Sequence, residues 1–287
     1  MRETLLVSRL EVLAAATLFS TGGAAIKAAS LTSWQVAGYR SAVAAATLLL
    51  LLPAARRNWN WRVLLVGIAY AATLVLFVLA NKMTTSASAI FLQATSPLYL
   101  LLLGPLLLKE RARRVDVLFM ALLVAGLALF FIAEQKPQTT APRPLEGNIL
   151  GALSGLTYAV TIAGLRWLGR RAPRGDAPIS TVAAGNLIAA VFSLAQASGA
   201  GAGTGRDWAV IAYLGTCQIA LAYFFLTRAV RRVSALEVSM LLLAEPALNP
   251  VWSWLAHGEN PGAWGIAGGL VIVGATVGMM ISKRESG

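Results

Sequence analysis

The sequence predicts an all-α integral membrane protein of ten transmembrane helices arranged as two inverted five-helix repeats. Three observations carry that expectation. Of the 287 residues, 57% are hydrophobic and 13% charged, with a mean hydropathy of +0.70; a soluble domain carries about 25% charged residues and needs them to cover its surface. Ten apolar stretches reach the length of about 20 residues that a bilayer core requires. The second half of the chain also restates the first. Ala80-Asn81-Lys82-Met83-Thr84-Thr85 returns 149 residues later as Ala229-Val230-Arg231-Arg232-Val233-Ser234, and at that offset Pro97 maps onto Pro246 and Glu110 onto Glu259.

The spans fall at 10–29, 34–53, 62–80, 86–108, 115–133, 147–167, 178–197, 208–227, 235–256 and 262–281. The first is longer than the apolar core of a secretion signal, and nine more follow it. Residues 1–136 make the first repeat and 137–287 the second. The proline-containing stretch from Glu134 to Pro144 is the extended connector between them. Ser198 to Gly205 is a second flexible loop. It shares glycines with phosphate-binding loops, but no Lys or Ser/Thr follows at the needed spacing. Transport driven by an ATPase within this chain is therefore not expected.

The net charge of +12 raises the question of nucleic acid, and its distribution answers it. The N-terminus, the loops after spans 2, 4, 6 and 8, and the C-terminus, with adjoining span ends, hold 18 Lys and Arg; the opposite set holds 5. By the positive-inside rule the first set, with both termini, is cytoplasmic. The expected location is therefore a cytoplasmic (inner) membrane, crossed many times. The basic residues are topology signals that touch the bilayer, and no stacking platform accompanies them, so no nucleic-acid partner is expected.

The charges also follow the inversion. The loop of Lys109, Arg111, Arg113 and Arg114 corresponds to His257-Gly258-Glu259-Asn260, which has no Lys or Arg. Five spans per half is an odd number, so equivalent loops lie on opposite sides.

Chemistry-bearing side chains are few. Cys217 is the single cysteine and His257 the single histidine, so disulfides, Cys/His metal sites and a histidine-based proton relay are not expected, and no cofactor is implied. Glu245 lies near the middle of span 9, where a charge costs about 2.5–3.5 kcal/mol on insertion scales and usually faces a cavity or a partner. Asn249 is one turn on. Pro246 cannot donate its backbone hydrogen bond and is expected to leave a carbonyl free near the midplane. These groups make a candidate patch for a substrate amine or a proton; the plain structural alternative is a Glu245 paired with a basic residue of another helix.

In span 4 the equivalent stretch places Ser96 where the second repeat has Glu245, with Pro97 as the matching kink. Gln93 shares the face of Ser96, and Tyr99 is a candidate stacking ring or gate. Tyr70, Tyr158 and Tyr223 are further candidates for substrate contact, each equally readable as packed core. Lys27 and Arg40 are the other intramembrane charges. Both lie within about seven residues of the external ends of their spans, near enough to snorkel to the surface; facing the cavity instead, either favours a substrate carboxylate. Trp34, Trp59, Trp61, Trp208 and Trp264 sit near span ends, as an interfacial belt does. Small residues recur every fourth position in span 6 (Gly147, Gly151, Gly155) and in span 10 (Gly265, Gly269; Gly274, Gly278). They fit close packing within one molecule or between two, leaving monomer and homodimer open.

Taken together, Tyr39-Arg40-Ser41-Ala42, the Ala-x-Lys/Arg-x-x-Ser/Thr junctions at Ala80 and Ala229, Ser96-Pro97 with Lys109-Glu110-Arg111, and Glu245-Pro246 with Gly258-Glu259 resemble the drug/metabolite transporter superfamily in its ten-helix form with two tandem EamA-type domains. Length and character are similar to its aromatic amino-acid exporters of the YddG type. The resemblance implies a secondary exporter with a cavity formed mainly by spans 1, 3, 4, 6, 8 and 9. The expected function is export of small amphipathic metabolites, foremost aromatic or hydrophobic amino acids, by alternating access. Organic cations, drugs or nucleosides are the alternative cargo. An enzyme is not expected, because no histidine lies in a span and the acidic residues there do not cluster. A scaffold or receptor gives no reason for the paired prolines.

Overall fold

A computed structural model describes residues 2–105, 141–171, 176–197 and 201–258, with scattered positions at 117–125 and 267–275. Among the described residues the fold is helical throughout, without strands. Five helical stretches there are long and apolar enough to cross a membrane: Leu5–Ala28, Trp61–Met83, Pro144–Arg171, Ala177–Gln196 and Gly205–Ala229. They coincide with expected spans 1, 3, 6, 7 and 8. Expected spans 5 and 10, apart from those scattered positions, and most of the connector lie outside the described residues.

In chain order the helices are α1 (Arg2–Ser20), α2 (Gly22–Ala28), α3 (Ser33–Leu51), α4 (Trp61–Met83), α5 (Ser86–Gln93), α6 (Ser96–Leu103), α7 (Pro144–Arg171), α8 (Ala177–Gln196), α9 (Gly205–Tyr213), a π-helical segment (Leu214–Leu221), α10 (Ala222–Ala229), α11 (Ala235–Leu241) and α12 (Ala244–His257). Expected spans 4 and 9 are thus each broken into two helices, α5–α6 and α11–α12. The breaks fall just before Ser96-Pro97 and Glu245-Pro246, where the missing proline N–H interrupts the ladder. One expectation is corrected here. The carbonyl that Pro246 cannot serve is that of Leu242, and it is not free: the backbone N–H of Glu245 donates to it at 2.9 Å, tightening the turn instead.

The repeated junctions have a concrete job. Thr85 and Ser234, their last residues, are N-caps: Thr85 Oγ accepts from the Ser88 N–H at 3.1 Å and Ser234 Oγ from the Glu237 N–H at 3.3 Å. The Gly-rich loop is also held. Gln35 Nε2 donates to the Gly201 carbonyl at 2.9 Å, and Thr204 with Asp207 forms a capping box at the start of α9.

Packing brings these pieces around one centre. α4 lies against α7 and α8, α3 against α8 and the π-helical segment, and α1 against α10 and α12. α5 packs on α12 while α6 packs on α11, so the first half of each broken helix meets the second half of the other. The two broken helices therefore run antiparallel and cross at their breaks. Close approach needs the glycines of α7: a Cβ on Gly147 would lie 2.7 Å from the Thr84 backbone, and one on Gly155 2.7 Å from the Leu92 carbonyl oxygen. The stripe in span 6 is used inside the molecule, against α4 and α5. The matching glycines of span 10 fall almost wholly outside the described residues.

Candidate functional site

The centre of the bundle is a narrow, partly open cavity with about 30 Å³ of free volume. Its wall is part apolar, with Phe19 of α1 and Leu74 and Phe77 of α4, and part polar, with Arg40 of α3, Thr73 of α4, Gln93 of α5, Gln218 of the π-helical segment and Glu245 of α12. Tyr158 (α7) and Tyr223 (α10) bring rings to it. A second, smaller pocket of about 10 Å³ adjoins it, sharing Gln93, Tyr158 and Glu245 and adding Ser96, Ser239 and Pro246 from the two breaks. The wall draws on all six spans that the family resemblance implies, and Arg40 adds span 2.

Seven of the residues singled out in the sequence meet here: Arg40, Gln93, Ser96, Tyr158, Tyr223, Glu245 and Pro246. Gln93 Nε2 donates to Ser154 Oγ at 2.7 Å, and that hydroxyl donates to the Thr73 carbonyl at 3.3 Å, fixing the amide against α4 and α7. Ser96 and Ser239, one from each broken helix, share a hydrogen bond at 3.1 Å. Tyr223 packs edge-on against Phe19 (centroids 4.9 Å apart) and against Tyr70 (4.7 Å), so Phe19 and Tyr223 form an aromatic wall backed by Tyr70. Tyr70 itself is fully buried behind it, its hydroxyl accepting from Asn186 Nδ2 at 3.1 Å.

Tyr99 and Asn249 lie outside both pockets. Tyr99 is half-buried against the hydrophobic core. Asn249 is buried and turned toward α2, where a Cβ on Gly23 would lie 2.8 Å from its Nδ2. Four residues advance a helix by about 400°, so Asn249 is offset about 40° from Glu245, and the close passage of Gly23 takes up that side. Lys27 does not line the cavity and is half-buried. Its Nζ donates to the carbonyl of Thr84, the C-cap of α4, at 3.2 Å, while Lys82 Nζ donates to the carbonyl of Ala29, the C-cap of α2, at 2.6 Å. The two lysines cap each other's helices.

Arg40 corrects the snorkelling reading. It is 1% exposed, its Nη2 donates to the Leu74 carbonyl at 2.9 Å, and it lines the cavity with Glu245. Position in a span gave its distance from the membrane surface but not the face of α3 on which it projects. Glu245 is 6% exposed, and among the described residues no group hydrogen-bonds or ion-pairs with its carboxylate. Two other carboxylates differ from it: Glu237 pairs with Arg9 at 2.8 Å and Glu11 with Arg228 at 2.9 Å, which ties α1 to the ends of α10 and α11.

Gln218 and Thr73 were not singled out in the sequence. An amide inside an apolar run is a legible signal, because it is costly in lipid. The widened π turn that presents Gln218 is not legible; such turns often mark functional sites. Thr73 gives no such signal, since threonine hydroxyls bond their own helix backbone.

The family model described as "EamA-like transporter family" matches the chain twice, over residues 9–132 and 146–281. The chain is 29% identical over 281 residues, 96% of each protein, to the pseudopaline exporter CntI of Pseudomonas aeruginosa, in strain UCBPP-PA14 and equally in strain PAO1. A protein of known crystal structure superposes on it with a TM-score of 0.76 at 19% identity, over 98% of this chain and 99% of that one, a likeness of fold.

Proposed function

Because the chain belongs to the EamA-like transporter family, we propose that it is a secondary exporter of small amphipathic, zwitterionic metabolites, working by alternating access in the cytoplasmic membrane with both termini inside. Ten spans in two inverted repeats complete the reading. The antiparallel crossing of α5–α6 with α11–α12, equivalent at the 149-residue offset, supports the inversion. Broken helices meeting at a central site are the recurrent architecture of such transporters. The observation that carries the proposal is the cavity at that crossing, which is lined by both an acidic and a basic side chain beside aromatic rings. Apolar walls with a few convergent polar groups suit small ligands with an apolar body and a charged end.

Within that class, aromatic or hydrophobic amino acids are the first cargo proposed, since rings of Phe19, Tyr158 and Tyr223 face the space. The relatives favour a second reading, in which pseudopaline or a related compound is carried. Expression in a sensitive bacterial host separates these from cation export. Resistance to toxic amino-acid analogues without resistance to lipophilic cations is expected; the opposite pattern moves the cargo to organic cations, and resistance to neither leaves the pseudopaline class to be assayed directly.

A further inference from the structure

Among the described residues Arg40 is a buried guanidinium without an ion-pair partner. It takes part in none of the ion pairs among the described residues, Nη2 is spent on the Leu74 carbonyl, and Nε has no partner there. Glu245, in the same cavity, is also unpaired among the described residues. The Oε1 of Gln218, on the same wall, is a third buried atom without a partner. A buried charge lacking its partner costs several kcal/mol, and opposite charges normally relieve that cost by pairing. Here they share a cavity and stay apart. A ligand carrying one charge of each sign relieves both at once.

We propose that Arg40 is the carboxylate-recognising residue of the cavity and that, with Glu245 taking the amine, it restricts the site to solutes bearing both groups. This rests on the exporter reading and adds to it the residue that excludes simple cations. A guanidinium suits the role: it stays protonated, and its planar fork matches a carboxylate with two parallel hydrogen bonds. A cation lacking a carboxylate would bring a second positive charge beside Arg40.

The test is competition in proteoliposomes holding the purified protein. Labelled phenylalanine is the tracer; phenylalanine, phenethylamine (no carboxylate) and 3-phenylpropanoate (no amine) compete. Wild type should be inhibited far more strongly by phenylalanine than by either analogue. Arg40→Gln should weaken phenylalanine by about ten-fold or more, as loss of a charge-assisted bond does, and strengthen phenethylamine, which no longer meets a second positive charge. Glu245→Gln should do the converse, strengthening 3-phenylpropanoate. Equal weakening of all three compounds by Arg40→Gln, or none, would overturn the assignment while leaving an exporter. Preference for phenethylamine in wild type would overturn it too. No flux, together with no stabilisation of purified wild type by phenylalanine in thermal unfolding, would remove the amino-acid reading beneath it. Should Arg40→Gln not fold, Arg40→Lys is read in its place: the carboxylate compounds weaken selectively, or the assignment falls.

Discussion

Single residues set both the chemistry of the cavity and the closeness of its walls. Gly155 lies one residue from Ser154, the partner of Gln93, and a Cβ there would meet the Leu92 carbonyl oxygen at 2.7 Å and Thr95 Oγ1 at 2.8 Å. The backbone oxygen has no flexible end to swing aside, so Gly155→Ala is expected to cost about 1–3 kcal/mol. A lowered thermal midpoint of the detergent-purified protein checks this; an unchanged midpoint would mean that α7 backs away freely. At this scale the sequence was readable where a residue is costly in lipid. Glu245 stood out because a lone carboxylate in an apolar run has no cheap explanation. Arg40 was equally visible, but its role was not, because the rotation of α3 is set by packing against α4 and α8. Asn249 shows the reverse error, since four positions along a helix do not return to the same direction.

At the scale of elements, the broken helices depend on their caps and on what ties them to α1. Thr85→Ala and Ser234→Ala each remove a side-chain acceptor from a helix start, and each is expected to cost about 1 kcal/mol, read as a lower thermal midpoint; Thr→Ser at position 85 should be nearly silent. The two ion pairs at the foot of α1 should behave differently from each other. In Arg9–Glu237 both side chains are close to a tenth exposed, whereas Arg228 is 54% exposed. Glu237→Gln leaves a buried guanidinium unpaired, a loss of about 3–5 kcal/mol, while Arg9→Leu with Glu237→Leu together should recover most of it. Arg228→Ala should lose less than Glu237→Gln, because Arg228 is half solvated, but more than the value of a fully exposed pair, about 1 kcal/mol, because Glu11, 10% exposed, is left without its partner. A double-mutant cycle on purified protein measures both. The junction motif was legible as a repeat, and its Thr or Ser is now explained as a cap. The breaks themselves were not foreseen: proline announces a kink, but whether the ladder bends or parts depends on the helix crossing it.

For the whole molecule, hydropathy and charge distribution were enough to give a membrane-spanning helical protein, and the family match agrees with that reading. The cavity was legible only as a set of candidates, because its closure depends on seven segments distant in sequence meeting at one point. What joins the scales is a single idea: paired breaks place a charged, aromatic-walled cavity at the crossing of two equivalent helices, and a transporter needs a cavity there. The most direct measurement is flux of labelled phenylalanine, tryptophan and leucine in proteoliposomes, with and without a pH gradient, for wild type and Glu245→Gln. Saturable flux that the other amino acids compete for, and that Glu245→Gln lowers by about ten-fold or more, is the expected result. Wild-type flux no greater than in empty liposomes, or full flux in the variant from correctly folded protein, would contradict it.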